Sequence, residues 1–329
     1  MRAVQMTHFG GPEVFEVIET PTPMPGPGQV LVRVRAAGVN FAETLMRQNR
    51  YAMTPELPAV LGNEVAGVIE RLGAGVGGLA IGARVVAPLF AAGGFYGGYA
   101  EYALIDADFV APLPNALSFE AATALMVQGL TALYLLKQVP PQGKTVLVSA
   151  AAGGVGSLLV QLARRAGAKT VIAAASTAEK LDFARTLGAD VGVNYSRPDW
   201  VEQARAGSGG AGPDIIYESV GGAVTKASLG ALAPLGELVI YGALNIQSFQ
   251  LGVPELLGLI FKNQSITGFA VAPLLTPESV KTGLRELFDL AVSGRLKVTI
   301  SGTFPLERAG EAHRALEGRR TTGKVVLVP

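Results

Sequence analysis

The stretch Ser149-Ala-Ala-Ala-Gly-Gly-Val-Gly156 follows the apolar run Thr145-Val-Leu-Val148 and precedes the helical pattern Leu158-Leu-Val-Gln-Leu-Ala163. A strand that turns through closely spaced glycines into a helix can hold a pyrophosphate, because the helix start offers free amides and a positive dipole end. Aligned on its last glycine, the loop reads Ala151-x-Gly153-x-x-Gly156. In that register Gly153 lets the backbone approach the phosphates, Gly154 and Val155 open the helix, and Gly156 lets helix and strand pack closely. Ala151, where glycine is usual, needs only a tight turn without positive φ. A glycine-rich turn that binds nothing is the bland alternative, and the strand-turn-helix context favours binding.

The end of the next strand selects the dinucleotide. An NAD site places Asp or Glu about twenty residues on, to accept from the ribose 2′-hydroxyl. Here Thr170 to Ala174 runs into Ala175-Ser-Thr-Ala-Glu-Lys180, with no carboxylate at the strand end. Small hydroxyls and a lysine suit a 2′-phosphate, so NADPH is the predicted cofactor. Lys180 taken alone reads better as a solvated helix-face lysine, and it is the missing acid beside it that favours the phosphate.

Composition narrows the rest. The 329 residues are 49% apolar and 16% charged, with net charge +1, which is a globular composition with no electrostatic footprint for nucleic acid,. Apolar runs such as Leu256-Leu-Gly-Leu-Ile-Phe261 fall short of the ~20 residues of a membrane span,. The start, Met1-Arg-Ala-Val-Gln-Met6, lacks the apolar core of a signal peptide, so a cytoplasmic protein without a membrane partner is expected,. Cysteine is absent and the two histidines, His8 and His313, lie far apart, so no metal site is predicted,.

The positioning elements fall into two rhythms. Short β-like runs separated by glycine and proline fill the first hundred or so residues: Arg2–Met6, Val14–Ile18, Gln29–Arg35, Glu64–Ile69, Arg84–Val86 and Gly98–Leu104,. The stretch Pro21-Thr-Pro-Met-Pro-Gly-Pro-Gly28 is a rigid connection,. From about residue 120 strand, turn and helix alternate, with strands expected at Thr145–Val148, Thr170–Ala173, Val191–Val193, Asp214–Tyr217, Glu237–Tyr241 and Ser265–Thr267,. Helices are expected at Ala178–Leu187 and Pro277–Val292, and further strands at Val298–Ile300 and Gly323–Val328,.

Taken in order, Gly38-Val-Asn-Phe-Ala-Glu-Thr44, Leu61-Gly-Asn-Glu-Val-Ala-Gly-Val68, Gly98-Tyr-Ala-Glu-Tyr102, Gln128-Gly-Leu-Thr-Ala132, the glycine loop, Leu187-Gly-Ala-Asp190 with Asn194-Tyr195, Val220-Gly-Gly222 and Gly323-Lys-Val-Val326 resemble the medium-chain dehydrogenase/reductase superfamily. Within it the chain is similar to the zinc-free quinone oxidoreductase branch. The resemblance implies an α/β fold: a doubly wound parallel Rossmann sheet over 121–267, plus a β-rich GroES-like (chaperonin-10-like) catalytic domain from 1–120 and 268–329. The cofactor is expected in the cleft, at the carboxyl ends of the parallel strands.

The resemblance also implies site residues. Asn40 falls where nicotinamide meets substrate, its amide polarising the acceptor oxygen; as an ordinary residue it reads equally well as a helix N-cap. Tyr51 resembles an active-site tyrosine that donates to a carbonyl or lines the cleft, and packing is its plain alternative. Thr131, Gly242 and Phe269 fall at the nicotinamide, and Ser176, Lys180 and Tyr195 at the 2′-phosphate. Lys324 falls near the phosphates, although an edge-strand lysine is usually solvated. Relatives that bind zinc carry cysteine and histidine ligands where this chain has Asn40 and Asn63.

Without a Lewis acid to lower an alcohol's pKa, a conjugated acceptor fits the chemistry better. The expected activity is NADPH-dependent hydride transfer to a quinone, enone or enal, by a homodimer paired through sheet edges near Glu237–Tyr241 and Ser265–Thr267. Two departures bear on this. Leu244-Asn-Ile-Gln247 replaces a shorter glycine-rich loop, and Pro55-Glu-Leu-Pro-Ala-Val60 with Gly62-Asn63-Glu64 resembles the enoyl thioester reductases. Enoyl thioester reduction, and a nucleotide-binding protein without turnover, are the competing expectations.

Overall fold

A computed structural model describes residues 1–94, 96–242 and 248–329; the divergent stretch at 244–247 lies outside them. The chain divides into two compact units, Met1–Leu130 with Ala272–Pro329, and Thr131–Val271.

The first unit opens with strands β1 (Arg2–Met6), β2 (Phe15–Glu19), β3 (Gln29–Val39), β4 (Ala59–Val60), β5 (Val65–Leu72), β6 (Arg84–Ala87), β7 (Tyr102–Asp106) and β8 (Ala111–Pro112). Helix α1 (Phe41–Arg47) leaves directly from the end of β3. The proline-rich stretch before β3 forms no strand or helix, as its missing amide donors require,. Helix α2 (Phe119–Leu125), capped by the Ser118 hydroxyl accepting from Ala121 N, packs on β3 and β5. This packing carries the first unit past residue 120. Helix α3 (Val127–Gln138) follows, and the apolar run Phe119–Gln138 is long enough to cross a membrane by composition, yet 72% of its apolar window is buried inside the protein.

The second unit alternates β9 (Thr145–Val148), α4 (Gly154–Arg165), β10 (Thr170–Ala175), α5 (Ala178–Thr186), β11 (Val191–Asn194), α6 (Trp200–Gly207), β12 (Ile215–Glu218), α7 (Gly222–Ala231), β13 (Glu237–Ile240), α8 (Val253–Lys262) and β14 (Ser265–Gly268). All six strands are parallel, in the order β11-β10-β9-β12-β13-β14. Counted along the unit this is 3-2-1-4-5-6, the doubly wound Rossmann order. Its switch point, where strand order reverses, lies between β9 and β12. β13 is paired on both sides, so the expectation of an open edge at Glu237–Tyr241 is corrected: only β14 of that pair is an edge.

The chain then returns through α9 (Pro277–Val292), β15 (Ile300–Pro305), α10 (Ala309–Glu317) and β16 (Lys324–Val328). The strand expected at Val298–Ile300 starts only at Ile300, because β16 offers its ladder partners from Ile300↔Lys324 onward. β16 inserts between β15 and β3, giving a mainly antiparallel sheet in the order β15-β16-β3-β5-β6-β8 with β7 also on β3. Its core runs through Val32, Val34, Val65, Ile69, Val85, Val325 and Leu327. Lys324 therefore sits on an interior strand, which corrects the reading of an edge-strand lysine.

Candidate functional site

In the second unit the glycine loop lies at the carboxyl end of β9, beside the switch point. Gly153 N-caps α4 in extended backbone, Gly153, Gly154 and Val155 are only partly buried, and the amides of the first helical turn have no partner within the helix,. A Cβ at Gly156 would lie 2.3 Å from the Ala150 carbonyl oxygen, so only glycine lets the helix start this close to the loop. Ala151 is fully buried and donates to the Ala174 carbonyl at 3.1 Å. The left-handed residue of this turn is Ala150, φ 46°, one position before the slot where glycine is usual.

Across the switch point, the buried Glu218 closes the turn after β12. Its Oε1 accepts from Val220 N at 2.5 Å, Gly221 N at 2.7 Å and Thr225 Oγ1 at 3.1 Å, while burial raises the carboxyl pKa. Ser219 N donates to Ser149 Oγ at 2.9 Å, tying that turn to the glycine loop. Glu218 is not among the site residues expected from sequence; its signal there is an acid at a strand end just before Val220-Gly-Gly222. Gly242, after β13, packs its backbone on Ser219, where a Cβ would lie 2.5 Å from the serine Cβ. Phe269, after β14, is buried, as is Thr131 in α3.

The structure brings Ser176 and Tyr195 together at the ends of β10 and β11. Tyr195 N donates to the Ala175 carbonyl at 3.1 Å, and Ser196 Oγ to the Ser176 carbonyl at 3.4 Å. Thr177 caps α5 by accepting from Lys180 N at 3.4 Å, which fixes the Lys180 backbone in the first turn. Glu179, in the first turn of α5, turns back to the helix start: hydrogen bonds to its own amide and to Thr177 lower its pKa.

The first unit holds a different kind of site, a buried polar cluster at the start of α1. Asn40 stands at the N-cap, but its side chain makes no cap bond. Its Nδ2 donates to Asn63 Oδ1 at 3.0 Å and Glu64 Oε1 at 2.8 Å, while its Oδ1 accepts from Lys324 Nζ at 2.6 Å. Asn40 is thus the N-cap residue of α1, with its N–H donating to Glu43, while its side-chain amide is engaged by Lys324, Asn63 and Glu64. Lys324 Nζ also bonds Glu64 Oε1, and both side chains of this ion pair are fully buried. A Cβ at Gly38 would lie 2.1 Å from Glu64 Oε1 and 2.7 Å from Lys324 Cε, so glycine leaves the room the pair occupies. As a phosphate ligand Lys324 would have to leave two buried acceptors.

Below the pair runs a one-way chain of donors. Arg47 has only hydrogens, so its Nη1 donates to His313 Nδ1 at 3.0 Å, leaving His313 Nε2 to donate to the Tyr99 oxygen at 3.0 Å,. Tyr99 in turn donates to Glu43 Oε2 at 3.1 Å. Burial and the Arg47 charge hold His313 well below the ordinary histidine pKa, and burial with the Glu43 carboxylate holds Tyr99 well above the ordinary phenol. Glu43 also accepts from Asn40 N at 2.5 Å and Asn63 N at 2.9 Å. Tyr51 packs half-buried against this core, its pKa raised by burial and by Glu43, which keeps its hydroxyl a donor. Among the described residues no group of His, Asp or Glu is placed to hold a metal ion.

Two family models match the chain: "Alcohol dehydrogenase GroES-like domain" over residues 26–115, and "Zinc-binding dehydrogenase" over residues 154–289. A 2-haloacrylate reductase of a Burkholderia species is 38% identical, over 97% of this chain and 96% of its own length. Quinone oxidoreductase 1 of Escherichia coli is 35% identical over 99% of both chains. The crystal structure of Escherichia coli quinone oxidoreductase complexed with NADPH superposes with a TM-score of 0.93, at 34% identity and full coverage of both chains.

Two measurements check these geometries. Gly156→Ala is expected to cost about 1–3 kcal/mol by driving a methyl into the Ala150 carbonyl, read as a lower melting temperature; an unchanged melting temperature would refute the close approach. The Glu43 carboxyl is pushed by burial from the ordinary 4.5 up to about 7. The folded protein therefore keeps a proton that the unfolded chain releases, so the stability Glu43 confers is whole below about pH 4.5 and is lost as pH rises through about 7,. Urea unfolding should register up to about 3 kcal/mol across that window, and Glu43→Gln should flatten it whatever its absolute stability. A slope that survives in Glu43→Gln assigns the proton to another group.

Proposed function

The chain belongs to the medium-chain dehydrogenase/reductase superfamily, in its quinone oxidoreductase-like branch, and we propose that it is a cytoplasmic, NADPH-dependent, zinc-independent reductase of quinones or other conjugated carbonyls. The observation that carries this reading is the glycine loop at the switch point of a 3-2-1-4-5-6 sheet, followed by a β10 end without a carboxylate, after which come Ser176, Thr177 and, in the first turn of α5, Lys180. NADPH, when bound, supplies the hydride. Gly153, Gly154, Val155 and Gly156 would hold its pyrophosphate, Ser176, Lys180 and Tyr195 its 2′-phosphate, and Thr131, Gly242 and Phe269 its nicotinamide end. Asn40, with its cluster, and Tyr51 would hold the acceptor.

The donor set speaks against zinc. The two ligand positions of the zinc-binding relatives are amides here, and Asn40 already faces the Lys324 ammonium, which would repel a second cation,. A conjugated acceptor needs no metal: hydride adds to carbon, charge spreads onto oxygen, and hydrogen-bond donors meet it there. The 2-haloacrylate reductase and quinone oxidoreductase relatives both carry names of that acceptor type.

Following absorbance loss of NADPH or NADH with quinones, enones, enals and an enoyl thioester is expected to give turnover with NADPH in clear preference. The double variant Ser176→Ala, Lys180→Ala should lose at least about tenfold in that preference, the equivalent of 1.4 kcal/mol, with NADH rates kept. Equal use of both cofactors by the wild type would sink the phosphate-site reading.

A homodimer is proposed with it. Val253, Leu256, Leu257, Ile260 and Phe261 follow helical spacing along α8 and are all exposed, next in sequence to the edge strand β14,. Light scattering should give a dimer mass, and Ile260→Glu with Phe261→Glu a monomer; a monomeric wild type refutes it.

A further inference from the structure

The direction of each amide in the buried cluster is fixed by a neighbour of one polarity. Lys324 Nζ carries only hydrogens, so the Asn40 atom facing it at 2.6 Å is the carbonyl Oδ1,. Asn40 Nδ2 then meets the Glu64 carboxylate at 2.8 Å, as an N–H must. Its second hydrogen runs to Asn63 at 3.0 Å, so the atom Asn63 offers there is its carbonyl Oδ1,. By elimination Asn63 Nδ2 faces away from the cluster. It donates to no described residue, and it is not among the enclosed polar atoms that lack a partner. The residue is buried, at 4% exposure, so the cluster holds an oriented amide donor with hydrogens left over.

Resting on the reductase reading above, we propose that Asn63 Nδ2 is the donor to the acceptor's carbonyl oxygen, primed by Lys324 through Asn40. Asn40 is then a positioning residue, both of its N–H groups being engaged. The order is Lys324 ammonium to Asn40 carbonyl, Asn40 N–H to Asn63 carbonyl, Asn63 N–H to acceptor. Each link polarises the next in a site shielded from water, so the lysine's charge reaches the acceptor through two amides. As the hydride that NADPH would supply leaves its C–H bond there and forms the new C–H bond at the conjugated carbon, the π electrons shift and a pair moves to the carbonyl oxygen. The Asn63 hydrogen bond meets that charge where it develops, and the enolate takes its proton from solvent.

The test uses the full chain. Asn63→Leu keeps the side-chain size and leaves the backbone bonds of residue 63, from its N–H to Glu43 and from Phe90 to its carbonyl. Its kcat/KM for a quinone or enone is expected to fall by about 10- to 1,000-fold, chiefly in kcat, with the NADPH dissociation constant unchanged. Asn63→Ser keeps a hydroxyl that accepts from Asn40 and donates onward, so it should recover part of the loss; it carries the test if the leucine variant does not fold. Rates within about twofold of wild type in both variants overturn the donor role. So does a loss matched by weaker NADPH binding in both, which would mark a structural effect. A wild type that binds NADPH and reduces no acceptor is a separate outcome, and it overturns the reductase reading together with the donor role.

Discussion

The buried pair of Lys324 and Glu64 is the constraint around which the first unit is arranged. Two full charges taken out of water cost several kcal/mol each unless every polar atom is met. Here the carboxylate accepts from Asn40, from Lys324 and, at 2.7 Å, from Val127 N, while the ammonium finds Asn40 as a second acceptor. These groups come from the start of α1, the residue before β5, the start of α3 and the first residue of β16. Strand β16 returns 284 residues after Asn40 and inserts beside β3 in the register Val325↔Val39, which brings Lys324 to Glu64 and Asn40.

That requirement explains which parts of the molecule were readable in advance. The central parallel strands β9, β10 and β12 are near-continuous apolar runs buried on both faces, so Thr145–Val148 coincides with β9, and the other strands agree within a few residues,. The glycine loop was legible because backbone approach leaves its mark in residue type. Lys324 and Asn40 were not, since a lysine opening a strand and an asparagine opening a helix have ordinary local explanations. What overrides them is the meeting of groups far apart in sequence, and no local pattern records it. The same holds for His313, a lone histidine by sequence, whose neutral ring links Arg47 to Tyr99. The edge expected at β13 failed for a topological reason: strand order, unlike strand identity, is set by the crossovers.

The two carboxylates of the cluster differ in a way that bears on chemistry. Glu64 faces an ammonium at contact distance, whereas Glu43 meets only neutral donors, namely two backbone amides and the Tyr99 hydroxyl. Desolvation therefore prevails at Glu43 and places its titration near neutrality, although the Arg47-His313-Tyr99 chain points every hydrogen toward it,. The cluster thus holds one carboxylate in contact with the lysine and another, Glu43, that makes no ion pair and titrates near neutrality.

An ammonium buried among amides differs from a metal in the reactions it can serve. A metal ion bonds an alcohol oxygen directly and lowers its pKa, which alcohol oxidation needs. Lys324 is spent on two protein acceptors, so its influence on a bound molecule passes through oriented amide dipoles. Such dipoles stabilise charge that arrives on a carbonyl oxygen and do little to remove a proton from a hydroxyl. The Asn40 carbonyl turned toward the lysine, and its N–H turned on to Asn63, give the cluster the polarity that the proposed conjugated-carbonyl acceptor calls for.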